Sequence, residues 1–230
     1  DYETIFDVTG TTSPAFVFNV TMQNHSGYAQ GWNNLTKTIR LSTQLRTADS
    51  SAEQYIALAQ ASDDALEELI GYYSQVEEPT LIVFFGDHQP PLKNAFYEEL
   101  YGKKLSERTT AEVLQQYAVP FFIWTNYSMK SESNVWISTN YLSSYALSLT
   151  GLELTPYNEY LLDLREKMPA LNHLGFLASD GTWYRWNDSD APEEDLEYER
   201  QYECLQYNEL IDKKDRDDSF FTISGEKDEE

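Results

Sequence analysis

The sequence is poor in cysteine and in long apolar runs. Its 230 residues contain one cysteine, Cys204, so no internal disulfide can form and no Cys-x-x-Cys metal site is possible. A single thiol does not choose between a cytoplasmic protein and a bacterial extracellular one. A membrane-spanning helix needs about 18 or more consecutive apolar residues, and no such run is present. The sequence therefore predicts no membrane span within these residues.

Positive charge is also scarce. There are 16 Lys and Arg against 39 Asp and Glu, which gives a formal net charge of -23. This balance argues against binding to nucleic-acid phosphates and against a polybasic membrane patch. The acid is concentrated at the end of the chain, where residues 187–230 hold 17 Asp and Glu against 5 Lys and Arg. We interpret this part as a solvated surface, and residues 224–230 as a disordered tail.

The hydrophobic content is sufficient for a sizeable core. Hydrophobic residues make up 41% and aromatic residues 14% of the chain. The length suits one α/β domain, or one domain with an appendage. The chain begins with Asp rather than Met and shows no signal-peptide pattern, so we expect an excised or processed piece of a longer protein.

The segment 80–91 carries the strongest local signal. Its five consecutive apolar residues, 81–85, predict a strand buried on both faces, as in a parallel sheet. Gly86 ends this run, Asp87 and His88 follow directly, and Pro90 prevents the strand from continuing. Open α/β sheets place their chemistry at the carboxyl ends of strands. The segment therefore predicts a functional site at Asp87 and His88.

Asp87 and His88 are an oxygen and a nitrogen metal ligand side by side. The backbone freedom of Gly86 would allow both side chains to turn toward one ion. This ligand pair suits Mn²⁺, Zn²⁺ or a similar divalent ion better than Ca²⁺. In the alternative interpretation, Asp87 caps the following loop and His88 packs at the rim of the sheet. The residue pattern leaves both interpretations open.

A second predicted strand, residues 15–22, also ends in a histidine motif, Asn24-His25. His25 could donate a hydrogen bond to a bound phosphoryl or sulfuryl oxygen, or it could be structural. Apolar residues at helical spacing predict a helix over 52–73, opened by a capping box of Ser50 and Glu53. This helix would connect the two strands as a right-handed βαβ unit, with the strands parallel.

The remaining pattern predicts further helices, strands and a hairpin. We expect helices over 94–101, 109–117, 139–149 and 155–167, and strands over 119–124 and 135–137. A hairpin is predicted around Asp180-Gly181, and its aromatic flanks, residues 176–186, are interpreted as a packed appendage rather than as a sugar-stacking platform. His173 is interpreted as structural. The predicted organisation is a main domain over 1–175, a small aromatic and acidic appendage over 176–223, and the tail over 224–230.

Two of these motifs resemble a known family. Residues 18–28, which contain Asn24-His25, and residues 84–90, which contain Gly86-Asp87-His88, resemble the two later motifs of lipoteichoic acid synthase-type proteins. These phosphoglycerol transferases belong to the sulfatase branch of the alkaline phosphatase superfamily. The resemblance extends over residues 1–181. It implies an α/β three-layer sandwich with a mainly parallel sheet flanked by helices, of which this chain is the C-terminal part.

The resemblance also implies an activity and its site residues. It suggests an enzyme of the bacterial cell membrane whose catalytic domain is extracellular and whose membrane anchor lies in a missing N-terminal part. Such an enzyme moves phosphoglycerol, or a related phospho-group, through a phospho-threonine intermediate. The donor is a lipid such as phosphatidylglycerol, and the acceptor is a cell-envelope polymer or glycolipid. Asp87 and His88 would bind a divalent metal, manganese before magnesium or zinc, and His25 would contact the phosphoryl group.

The family's nucleophilic threonine and a further acidic metal ligand lie upstream of the Asn-His motif. We therefore assign no catalytic nucleophile within these residues and expect the isolated piece to be inactive. Two alternatives stay open. One is a sulfatase, phosphatase or phosphodiesterase of the same superfamily, and the other is a catalytically inactive extracellular binding module.

Overall fold

The computed structural model describes residues 15–25, 27–29, 35–212 and 214–223. The chain divides into two compact units. The first comprises Asp1–Gly71 and Pro90–Leu100, and the second comprises Tyr72–Gln89 and Tyr101–Glu230. The expected disordered tail, 224–230, lies outside the described residues. The predicted boundary after residue 175 stays a prediction.

The described elements alternate between helices and short strands. The helices are α1 (Thr43–Ala48), α2 (Ala52–Tyr73), α3 (Asn94–Tyr101), α4 (Thr110–Gln115), α5 (Thr139–Ser148), α6 (Pro156–Lys167), α7 (Glu193–Leu210) and α8 (Asp218–Phe221), with a 3-10 turn at Leu105–Glu107. The strands are β1 (Leu81–Phe85), β2 (Phe121–Thr125), β3 (Ala170–Asn172), β4 (Gly175–Leu177) and β5 (Trp183–Arg185). None of the helices in the described ranges is both long and apolar enough to cross a membrane.

Helix α2 is the largest element of the first unit, and its predicted bounds are confirmed. The predicted capping box is wrong. The carboxylate of Glu53 instead accepts hydrogen bonds from the guanidinium of Arg40 at 3.0 Å and from the N–H of Leu41 at 3.2 Å. Burial raises the pKa of Glu53, but these two donors outweigh burial and leave the pKa below its ordinary value. Glu53 therefore ties the segment before α1 to the start of α2.

Asp49 joins two parts of the first unit. It is only 3% exposed. One carboxylate oxygen accepts from the N–H and the hydroxyl of Ser51 at 3.0 and 2.7 Å, and the other accepts from the N–H of Lys93 at 2.9 Å. Burial raises the pKa of Asp49, but these hydrogen bonds outweigh it and lower the pKa overall. The entry to α2 and the segment before α3 thus share one buried carboxylate.

The replacement Asp49→Asn is expected to destabilise the first unit by about 2 kcal/mol, because one oxygen becomes an NH₂ group that faces an N–H or O–H donor. The lowered pKa of Asp49 means that its contribution is present above the unfolded pKa and is lost as pH falls through the folded value, below about pH 4. Urea unfolding at pH 7 and pH 3 measures both effects. Asp64→Asn, on the exposed part of α2, is the matched control. Equal stability of both variants at pH 7 would contradict the assignment.

The strand predicted over 15–22 is wrong. These residues are irregular, and their apolar side chains are exposed, Phe16 to 90% and Phe18 to 68%. A strand exists only through hydrogen bonds to a neighbour, and no other described residue forms a ladder with this segment. The residue pattern therefore indicates a preference for the strand conformation, but the described residues offer no neighbouring strand with which this segment pairs. The short strand predicted at 135–137 is irregular for the same reason.

The α/β class is confirmed, but the pairing of its described strands differs from the prediction. β1 pairs antiparallel with β2, and Phe84 stacks on its partner Phe122 with ring centroids 5.4 Å apart. β3, β4 and β5 form a second antiparallel sheet. The parallel βαβ pair predicted through α2 is wrong within the described residues, because residues 15–22 form no strand. The antiparallel hairpin of β4 and β5 confirms the turn predicted at Asp180-Gly181.

The core of the second unit joins α5, α6, the small sheet and α7. Its fully buried members are Tyr141, Leu161, Leu164, Met168, Phe176, Ala178 and Tyr202. Each large apolar side chain buried here contributes on the order of 2 kcal/mol. Phe176 stacks on Trp186 at 4.8 Å, which agrees with the packed hairpin predicted from its aromatic flanks. Helix α7 is a tyrosine-rich element that the sequence analysis missed.

Candidate functional site

Strand β1 places Asp87 and His88 at its carboxyl end. The strand ends at Phe85, and the N–H of Gly86 donates to the carbonyl of Pro120 at 3.1 Å. A Cβ at Gly86 would lie 3.0 Å from the Cβ of Val119, closer than side-chain carbons normally approach. Glycine therefore fits the close approach between the two chain segments here. The φ angle of Gly86 is not positive, so glycine is favoured here by the lack of space and not by the backbone freedom that the sequence suggested.

The two side chains after Gly86 converge. The N–H of His88 donates to Asp87 Oδ1 at 2.8 Å, and His88 Nε2 lies 3.5 Å from Asp87 Oδ2. His88 Nδ1 lies 2.9 Å from the carbonyl oxygen of Gln89. Because a carbonyl oxygen can only accept, Nδ1 carries the hydrogen in this contact. In the neutral ring, the lone pair of Nε2 then faces the carboxylate of Asp87.

This arrangement fits a divalent cation. Two ligands of one tetrahedral ion, each about 2.1 Å from it, stand about 3.4 Å apart, which is close to the separation of Nε2 and Oδ2. Metal-bound histidines usually donate their other ring N–H to a carbonyl or carboxylate, as Nδ1 does here. Both side chains are accessible, with 63% of His88 and 83% of Asp87 exposed. Among the described residues, no group of three or more His, Cys, Asp or Glu could hold a metal.

Asp87 and His88 border a cleft of about 990 Å³ in the second unit. The cleft is also lined by strand β2, by the irregular segment before α5, and by the ends of the small sheet. Two indoles, Trp136 and Trp183, meet edge to face in its lining at 5.5 Å. Trp183 is one of the aromatic flanks of the hairpin that the sequence predicted to be packed. The local pattern cannot tell which side chains of a three-residue strand face the core and which face the cleft.

The charged side chains of the cleft are few and paired. Lys130 Nζ lies 2.8 Å from Glu132 Oε1, and the Tyr145 hydroxyl donates to Glu132 Oε2 at 3.0 Å. The hydrogen bond from Lys130, then that from Tyr145, lowers the pKa of Glu132. Because Lys130 and Glu132 neutralise each other, Asp87 is the one uncompensated carboxylate in the cleft lining of this described unit.

His25 belongs to the first unit, on an exposed turn held by its neighbours. Its N–H donates to the carbonyl of Met22 at 3.1 Å. The side-chain oxygen of Asn24 accepts from Ser62 of α2 at 3.1 Å, and the carbonyl of Asn24 accepts from the Tyr28 hydroxyl at 2.7 Å. Asn24 therefore fixes the turn while the ring of His25 stays exposed. This leaves the imidazole accessible, and its contact with a phosphoryl group stays a prediction.

The third histidine, His173, packs against an aromatic ring. Its ring meets Tyr117 edge to face with centroids 5.0 Å apart. Both residues line the cleft that contains Asp87. This contact agrees with the structural role expected for His173.

Strand β1 is half-buried and is followed by an Asp-His pair beside an open cleft in an α/β chain. These features agree with the class of protein that the two histidine motifs resemble, the sulfatase and alkaline phosphatase superfamily of hydrolases and transferases. The family model described as Sulfatase matches residues 2–152, more than half of the chain. The chain therefore belongs to the sulfatase family, as the resemblance of its two histidine motifs implied.

A solved structure has the same fold. The Streptococcus pyogenes phosphoglycerol transferase GacH, in complex with sn-glycerol-1-phosphate, is similar with a TM-score of 0.53 and 18% sequence identity. The similarity covers 82% of this chain and 42% of that chain. It confirms the sulfatase-like α/β fold as a partial domain.

Two relatives come from Rhizobium meliloti (strain 1021). A protein named for cyclic beta-1,2-glucan modification is 26% identical over 222 residues, which cover 93% of this chain and 34% of the relative. The capsular polysaccharide biosynthesis protein RkpI is 30% identical over 79 residues, 34% of this chain and 12% of that protein. The chain thus spans about a third of the first relative's length.

Proposed function

We propose that this chain is the C-terminal part of the catalytic domain of a metal-dependent phosphoglycerol, or related phospho-group, transferase. The donor is a lipid such as phosphatidylglycerol, and the acceptor is a cell-envelope glycan. The observation that carries the proposal is the Asp87-His88 pair, whose Oδ2 and Nε2 atoms lie 3.5 Å apart beside an open cleft. Membership of the sulfatase family and the fold shared with a phosphoglycerol transferase support it. The names of two relatives support a glycan acceptor.

The reaction consists of two displacements at phosphorus. In the first, a threonine hydroxyl outside the assigned residues forms a P–O bond, the bond from phosphorus to the diacylglycerol oxygen breaks, and that oxygen takes a proton. In the second, a glycan hydroxyl attacks the phospho-threonine, and the threonine oxygen is released with a proton. A covalent intermediate divides one difficult transfer into two easier steps.

The residues of this chain bind and orient the reactants. Asp87 and His88 would hold a divalent ion, manganese by preference, which supplies Lewis-acid stabilisation of phosphoryl charge when bound. The exposed imidazole of His25 donates a hydrogen bond to a phosphoryl oxygen, where negative charge increases in the transition state. We propose that the domain acts on the outer side of the cell membrane, where the lipid donor and the glycan acceptor would meet.

The test is a transfer assay of the longer protein of which this chain is the proposed C-terminal part, with phosphatidylglycerol labelled in its terminal glycerol, in the presence of Mn²⁺ and a neutral β-1,2-linked glucan. Glycerol phosphate attached to the glucan is the expected product, detected by mass spectrometry. Release of free glycerol phosphate without attachment would indicate the phosphodiesterase alternative. Absence of turnover with bound Mn²⁺ would favour the inactive binding module, and either result overturns the proposal.

A further inference from the structure

The cleft beside Asp87 and His88 contains an aromatic pair that the proposed chemistry does not use. Trp136 is 44% exposed, which leaves a large indole surface in water. Its ring meets that of Trp183 edge to face, with centroids 5.5 Å apart and planes at 79°. Such edge-to-face packing is a favourable aromatic arrangement and holds the exposed ring in one orientation. An exposed indole that is fixed in a cleft can stack on the apolar face of a ligand.

The surroundings of the indole pair are polar but carry little net charge. Hydroxyl and amide groups line the same cleft on the segment before α5 and at the first residue of α5, namely Ser131, Ser133, Asn134 and Thr139. These four residues are exposed. The nearby Lys130 and Glu132 neutralise each other. The lining therefore combines an apolar flat surface with neutral hydrogen-bonding groups.

We propose that Trp136, supported by Trp183, is a stacking subsite for a neutral sugar ring of the glycan acceptor. A sugar ring presents C–H groups on its faces and hydroxyls at its edge. The C–H groups carry partial positive charge and match the negative face of the indole, while the hydroxyls can pair with the serine and asparagine side chains. Because Trp136 is already positioned by Trp183, little side-chain entropy is lost on binding. This subsite rests on the proposed function, since it names where the acceptor binds.

The test is titration of the purified protein with a neutral β-1,2-linked glucose trisaccharide by isothermal calorimetry, without metal or lipid donor. Because Trp136 supplies the apolar face on which the sugar ring would stack, Trp136→Ala is expected to weaken binding about tenfold or more. Trp136→Phe keeps an aromatic face and is expected to stay within about threefold of the unaltered protein. Tyr207→Ala removes an aromatic ring that is 59% exposed on α7 and is the matched control.

The outcomes separate this subsite from the proposed transfer reaction. Trisaccharide binding that survives Asp87→Ala but is lost in Trp136→Ala supports the subsite even if the protein transfers no phosphoglycerol. The subsite would be overturned if Trp136→Ala bound the trisaccharide as tightly as the unaltered protein. It would also be overturned if Trp136→Ala and Tyr207→Ala lost the same amount of affinity for the trisaccharide. Absence of trisaccharide binding by the unaltered protein would overturn the subsite as well. Urea unfolding of Trp136→Ala and Trp136→Phe checks that the fold is retained.

Discussion

Replacing Asp87 with Ala in the longer protein that supplies the nucleophile is expected to reduce the rate of phosphoglycerol transfer at least about a hundredfold, because removing one of two assigned ligands costs most of the metal affinity. His88→Ala is expected to have a similar effect. The two replacements together should cost little more than either one alone, because both act through the same ion. Transfer rates and Mn²⁺ affinity, the latter by calorimetry, measure these effects.

The stability of these variants should hardly change. Asp87 and His88 are mostly exposed, so their loss removes little packing. Asp63→Ala, which removes an exposed carboxylate on α2, is the control for the change in net charge. Full transfer activity in Asp87→Ala would rule out the metal role of the pair. A loss of activity with unchanged Mn²⁺ affinity would show that Asp87 acts without the metal.

A second control separates the metal from the imidazole itself. His88→Gln keeps a hydrogen-bonding group of similar length but lacks the ring nitrogen that faces Asp87. If His88 acts as a ligand, activity in this variant should recover partly when the Mn²⁺ concentration is raised well above the dissociation constant of the unaltered protein for Mn²⁺. If His88 acts as a proton donor, added Mn²⁺ should have no effect on the rate. The dependence of rate on Mn²⁺ concentration therefore distinguishes the two roles.

Helices were predicted well from the sequence because their signals are local. The bounds of α2 and α3 agree with the apolar spacing, and α6 begins at the predicted Thr155-Pro156 signal. Here the Thr155 hydroxyl accepts from the N–H of Asn158 at 3.1 Å, so the cap is formed within four consecutive residues. Each of these helices satisfies its backbone hydrogen bonds within its own segment.

Helix α7 had a usable signal that the acidic composition obscured. Pro192 precedes Glu193, Glu194 and Asp195, and acids in the first turn favour a helix start. Tyr198 and Tyr202 follow at a spacing of four and both contact the core of the second unit. The high density of acidic residues favours a solvated segment, but one stripe of tyrosines is sufficient to pack the helix against a core.

Strand pairing was predicted less well because it depends on distant partners. Residues 15–22 and 81–85 have similar composition, yet only the second finds a partner among the described residues, in β2. The position of Asp87 and His88 after β1 was predictable because it depends only on where that strand ends. The 3.5 Å separation of their side chains depends on the conformation of the chain after Gly86. The sequence shows that a turn is possible there but does not determine its geometry.

The replacement Gly175→Ala is expected to destabilise the second unit by at least about 3 kcal/mol, because the neighbouring backbone cannot make room for a methyl group. A Cβ at Gly175 would lie 2.0 Å from the carbonyl oxygen of Tyr184 and 2.8 Å from the Cα of Arg185. These are backbone atoms of β5, the strand that pairs with β4. The two strands would have to separate, which would break the contacts of Phe176 with Tyr184 and Trp186.

Gly71→Ala makes the same chemical change in another place and is expected to have the opposite effect on stability. Gly71 lies in α2, where a Cβ would meet no atom within 4 Å. Alanine at a helical position is favoured over glycine by about 0.5–1 kcal/mol, so this variant should be slightly more stable than the unaltered protein. Urea unfolding followed by tryptophan fluorescence measures the effect of Gly175→Ala, since Trp124, Trp136, Trp183 and Trp186 all lie in the second unit. Gly71 lies in the first unit, so the effect of Gly71→Ala is measured by the urea dependence of the far-ultraviolet circular dichroism, which reports helix content. Because Trp183 belongs to β5, Gly175→Ala should also weaken trisaccharide binding at Trp136, whereas Gly71→Ala should leave it unchanged. A Gly175→Ala protein as stable as the unaltered one would show that β4 and β5 are not held at the separation described.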